Sequence, residues 1–165
     1  MRRAPFLAVL ALVAWPDAAA AELRVTNAVV LERMDGSPAQ VAQNLRVWCG
    51  RWEPDVPRRA VHIRAGARSA PFWQVDAVIA DVRRDPVVRF PHSFVFDKPT
   101  GAQLFAVERE NELSSSEEEA SGRITFGKVR CGRRLAVRFR VDAILGSEFA
   151  GGETVTMRGS FRASK

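Results

Sequence analysis

Arg134-Leu135-Ala136-Val137-Arg138-Phe139-Arg140-Val141-Asp142-Ala143-Ile144-Leu145 carries the clearest pattern in the chain. Leu135, Val137, Phe139, Val141, Ala143 and Leu145 share one parity; Arg134, Arg138, Arg140 and Asp142 share the other. Alternation with period two specifies a β-strand with one face in a core and one in water. After the turn-forming run 146–152, Val155, Met157 and Phe161 alternate with Thr154, Thr156, Arg158, Ser160 and Arg162, so a second strand of the same kind follows. A direct, symmetric connection would set Phe139 opposite Gly159, Val141 opposite Met157, Val137 opposite Phe161 and Arg140 opposite Arg158. The outer face of that hairpin then gathers Arg138, Arg140, Arg158 and Arg162. Either carboxylates from elsewhere, such as Glu117 to Glu119, neutralise it, or it meets something anionic.

Upstream, Ile124 and Phe126 share one parity while Val129 and Cys131 take the other, which places a β-bulge at Gly127-Lys128. Leu23–Arg33 reads as a first strand, Ala60–Ala65 and Ser93–Phe96 as short ones. Asp97 to Gly101 has the composition of a tight turn, so 93–96 and 103–108 are expected to form a hairpin. Glu53 to Pro57, with two prolines, reads as a loop. Residues 38–49 and 72–84 fit both helical and strand periods. Ser37, Pro38 and Gln40 resemble a helix start, yet Leu45, Val47 and Cys49 alternate, favouring a strand over about 45–52 with Cys49 inward. The β-rich surroundings favour a strand over 72–84. Asn111–Gly122, poor in apolar residues and rich in Glu, is expected to be a solvated loop or one helical turn. The fold class expected is all-β: an antiparallel sandwich or open barrel of eight or nine short strands with at most one short helix.

The N-terminus indicates the compartment. Met1-Arg2-Arg3 precedes an apolar run of about a dozen residues, too short to span a bilayer, and Ala18 to Ala21 suit signal peptidase. Residues 1–21 are therefore read as a cleaved signal peptide and 22–165 as one β-rich domain, secreted or periplasmic. No second long apolar segment is present, so no membrane span is expected in the mature chain. The formal charge is +6, falling to +5 without residues 1–21, and the excess is arginine, the lysines being Lys98, Lys128 and Lys165. Such a balance suits acidic partners, an envelope protein or anionic polysaccharide, rather than nucleic acid. Cys49 and Cys131 are expected to pair, closing a loop of about 80 residues worth near 4 kcal/mol on chain-entropy grounds.

Chemistry is harder to find. His62 sits at a polar strand position and His92 after a proline, and both read as surface or loop residues. No G-x-S-x-G, HExxH or CxxC motif is present, and tyrosine is absent. Asp76, Asp81, Glu108, Glu110, Asp142 and Glu148 could supply a carboxylate pair to a small hydrolase, but their spacing selects no two of them. Ser114–Glu119 lacks the spacing of a calcium loop. No cofactor, metal or catalytic residue is assigned. Trp48 and Trp52, on the face opposite Cys49 with Arg46, join the arginines as candidate binding residues. The reading favoured is an exported interaction module; a carboxylate hydrolase and a structural accessory domain are the alternatives.

Overall fold

The computed structural model describes residues 23–41, 44–66, 72–81, 88–97, 100–108, 111–147 and 152–165. These residues form strands and their connections, with no helix among them. The proposed signal segment lies outside the described residues. Twelve strands are present rather than eight or nine: β1 (Arg24–Asn27), β2 (Val30–Arg33), β3 (Pro38–Val41), β4 (Arg46–Glu53), β5 (Val56–Ala65), β6 (Phe72–Asp81), β7 (His92–Val95), β8 (Ala102–Glu108), β9 (Asn111–Ser114), β10 (Ser121–Arg130), β11 (Ala136–Ser147) and β12 (Val155–Ser164). The higher number arises because the first segment is broken at Ala28-Val29 and because 38–41, which resembles a helix start, and 111–114, read as loop, pair as strands.

Every pairing is antiparallel, and the strands make two layers that share β11. In one layer β7, β10, β11 and β12 lie side by side, with β1 and β2 both on β12 and β3 on β2. In the other the order is β4-β5-β6-β8-β9. The twelve-residue β11 passes from one to the other, since Gly146 and Ser147 pair with Ser114 and Leu113 of β9. The sheet is not closed, so the architecture is that of an open barrel or sandwich.

The apolar parity of β11 accounts for the core. Val137, Phe139, Val141, Ala143 and Leu145 are buried. Phe126, Phe139 and Phe161 stand in register across β10, β11 and β12. Phe139 stacks on Phe161 at 5.1 Å, and Trp73 of β6 meets Phe161 edge-on at 6.3 Å, joining the two layers. The bulge falls where the change of parity places it, between Phe126 and Lys128. Cys49 of β4 and Cys131, just after β10, are bonded with Cα atoms 6.0 Å apart, which indicates an oxidising environment.

Several expectations need correction. The β11–β12 register is shifted by two, giving Phe139–Phe161, Val141–Gly159, Ala143–Met157, Val137–Ala163, Arg140–Ser160 and Asp142–Arg158. Gly159 has φ of +129°, and a Cβ there would strike the carbonyl oxygen of Ala28, far away in sequence. The crossing between β1 and β2 fills that space, so Phe139 is not needed to cover it. The hairpin expected of 93–96 and 103–108 is not formed: β7 pairs with β10, and β8 with β6 and β9. Alternation specifies an inward face but not which layer supplies the neighbour. Pro57 lies inside β5, beside the Pro54-Asp55 turn. The Ser-rich segment is no solvated loop; Ser114 and Ser115 are buried, and the Ser115 hydroxyl accepts a hydrogen bond from the Leu104 N–H at 2.9 Å while its own N–H donates to the Leu104 carbonyl.

Candidate functional site

The polar parity of β10, β11 and β12 forms the outer face of one layer. The observed register arranges it in rows. Arg123, Asp142 and Arg158 make the first, Thr125, Arg140 and Ser160 the second, Lys128, Arg138 and Arg162 the third. Thr26 of β1 continues the third row beside Arg162. All four arginines picked out by alternation are therefore brought together. Neighbouring rows are about 6.6–6.8 Å apart along a strand and neighbouring strands about 4.8 Å apart.

The rows differ in charge balance. In the first, Arg158 Nε donates to Asp142 Oδ1 at 3.1 Å, and its Nη1 lies 3.6 Å from Glu32 Oε2. In the third, Arg138 lies directly opposite Arg162 on one side and Lys128 on the other. No described carboxylate lies within ion-pairing distance of Arg138, Arg140 or Arg162. Glu117 and Glu119 are not the missing partners. They lie over Gly146, six residues or about 20 Å of strand beyond Arg140. Like charges held opposite each other cost a few tenths of a kcal/mol or more, so the arrangement opposes folding slightly.

Trp48 lies on the outer face of the other layer, and Trp52 at the irregularity of β4 between Arg51 and Glu53. Trp48, 41% exposed, stacks on the His62 ring at 5.1 Å and 15°. Trp52 is half-buried in a separate groove of about 660 Å³ with Phe96, Gln103 and Ser116. The pair does not join the arginines in one surface.

His62 is not the surface residue its parity suggests; it is 7% exposed. Its Nδ1 lies 2.6 Å from Asp76 Oδ1 and its Nε2 lies 2.8 Å from the Arg51 carbonyl oxygen. Gln74 Nε2 donates to the second oxygen of Asp76 at 2.6 Å. Hydrogen bonding to Asp76 chiefly, helped by the charge of Asp76 and by the Arg51 carbonyl and opposed by burial, raises the His62 pKa above its ordinary value. The ring ties β4, β5 and β6 together, with both ring nitrogens occupied and neither free to act as a general base. His92 is exposed at the start of β7, edge-on to Phe94.

Of the carboxylates considered for hydrolysis, Asp76 and Asp142 stand on opposite outer faces and are tied to His62 and Arg158. The other side chains, Asp81, Glu108, Glu110 and Glu148, lie outside the described set. Among the described residues no group of three His, Cys, Asp or Glu side chains is placed to hold a metal.

Thr125, Gly127, Lys128 and Ser160 also belong to the arginine face and were not singled out from the sequence. Following polar parity along β10 through its bulge would have found the first three. Comparison with protein-family models, curated proteins and solved structures finds no match.

Proposed function

We propose that the protein is an exported binding module that takes an anionic polysaccharide of the cell envelope or extracellular space across the outer face of β10, β11 and β12. One observation carries this reading: Arg138, Arg140 and Arg162 stand on a sheet face without carboxylate partners among the described residues, and Arg138 and Arg162 are held directly opposite each other. Selection for folding alone favours placing a carboxylate there, as happens one turn of the pleat away at Asp142. A sheet presents its charges at fixed spacing, which suits a repeating polyanion, and guanidinium groups suit oxyanions through their forked donors.

The test is binding of dextran sulfate or purified lipopolysaccharide, by calorimetry, to the wild type and to the Arg138→Glu/Arg140→Glu double variant. The wild type should bind with an affinity that falls as salt rises, because exposed charges are screened over about 10 Å at 0.1 M. The variant should lose at least roughly tenfold in affinity, since double charge reversal replaces attraction by repulsion. Binding that is unchanged in the variant, with its circular dichroism intact, would remove the arginine face from the function. No binding of any polyanion by the wild type would return the chain to a structural role.

A further inference from the structure

We propose that the middle of this face holds a discrete subsite for a tetrahedral oxyanion, a sulfate or phosphate ester group, and that Gly127 is its positioning residue. This rests on the polyanion reading above and adds the chemistry that the face selects. The subsite is a cleft of about 560 Å³ whose lining includes Thr125, Gly127, Arg138, Arg140, Gly159 and Ser160. It has room for an ester group and part of the unit that bears it.

Gly127 is the extra residue of the β10 bulge and faces outward beside Arg138. A Cβ at Gly127 would lie 3.0 Å from both Nε and Nη2 of Arg138. The guanidinium therefore lies against bare backbone, folded across β10 towards the cleft. The backbone itself does not demand glycine there, because Gly127 is absent from the positive-φ positions. What the missing side chain provides is space for the Arg138 guanidinium. Gly159 keeps the opposite wall low for a different reason, the close passage of Ala28.

Donors converge on this cleft from three strands. Arg140 is flanked in register by Thr125 on β10 and Ser160 on β12. The Thr125 hydroxyl shares a 2.7 Å hydrogen bond with the Ser93 hydroxyl. With Ser93 donating, the Thr125 proton is free to donate into the cleft. A planar carboxylate is satisfied by one forked guanidinium. A tetrahedral oxyanion presents a further oxygen in another direction, and hydroxyls beside two guanidinium groups suit it. Asp142, the carboxylate on this face of β11, lies in the next row held by Arg158, so an anion is favoured on the Arg138 side of Arg140.

The experiment compares two oligosaccharides of matched charge and length, one carrying sulfate esters and one, an oligogalacturonate, carrying carboxylates alone. The wild type should prefer the sulfated probe by roughly fivefold or more, the worth of about one net hydrogen bond. Gly127→Ala should cut that preference several-fold while leaving the melting temperature nearly unchanged. Thr125→Val/Ser160→Ala should also reduce the preference, and it keeps the test open if Gly127→Ala folds poorly. Equal binding of both probes by the wild type, or an unchanged preference in both variants, overturns the subsite and leaves the polyanion reading standing. An Arg138→Glu/Arg140→Glu protein that binds both probes like the wild type overturns both.

Discussion

The site of His62 favours its protonated form because both of its neighbours are acceptors. A neutral imidazole donates from one nitrogen only, whereas the Asp76 carboxylate and the Arg51 carbonyl each call for a donor. The fold thus holds this proton more tightly than the unfolded chain does. The stabilisation is fully present below the unfolded value of about 6.5 and is lost as pH rises through the raised folded value. We expect the wild type to lose stability on the alkaline side of that window, and His62→Gln to lose much of this dependence; urea midpoints of the two proteins across neutral pH measure the difference. His62→Ala should cost about 2–4 kcal/mol, because it leaves the Arg51 carbonyl unpaired and Asp76 with Gln74 alone. Two glycines supply a second test. Gly132 and Gly159 both have φ above +120°, but a Cβ at Gly132 meets nothing within 4 Å whereas one at Gly159 strikes the Ala28 carbonyl. Alanine at 132 should cost about 1 kcal/mol, at 159 about 3 kcal/mol or more, as read by chemical denaturation. Neither residue's role was legible in the sequence. His62 depends on β4, β5 and β6 lying side by side, and Gly159 on a crossing from the far end of the chain.

At the scale of the strand, β11 and its neighbours show what alternation reveals and what it leaves open. Facing was legible: Leu145 and Phe139 are buried, Arg138 and Arg140 are out, and the bulge lies where Val129 changes parity. Register and partners were not. A two-residue slip keeps every side chain on its own face, so hydrophobic pattern cannot distinguish Arg140–Arg158 from the observed Arg138–Arg162. The same indifference hides the partner of β7, whose buried Phe94 would suit either layer. Of the candidate site, the arginine cluster was legible and its separation from Trp48 and Trp52 was not, since no local signal says which layer β4 joins. The observed pairing has a measurable cost. Arg162→Glu replaces a like-charge pair by an opposite one, and we expect a gain of about 0.2–1 kcal/mol in urea denaturation at low salt, shrinking as salt is added. The same change should weaken polyanion binding, so stability and affinity should move in opposite directions.

For the whole molecule, the disulfide joins the outermost strand of one layer to the turn between β10 and β11 in the other, 82 residues apart in sequence. It restrains β4, whose only strand partner among the described residues is β5. The Cys49→Ser/Cys131→Ser protein should lose about 2–4 kcal/mol, measured against the oxidised wild type. Closure elsewhere relies on the two ends of the described chain meeting. Arg24 pairs with Ser164 and Val30 with Arg158, while Ala163 and Phe161 complete the core beneath β11. A ribosome makes β1 and β2 first and β12 last. β1 therefore waits for β12 before its backbone groups find a sheet, and β2, which can pair with β3 at once, waits for its second partner, while the hairpins β4–β5 and β5–β6 need only neighbouring segments. A chain stopped before Val155 should therefore remain open to proteases along β1 and along the edges of β2 and β11 that β12 covers, however well its other layer has formed.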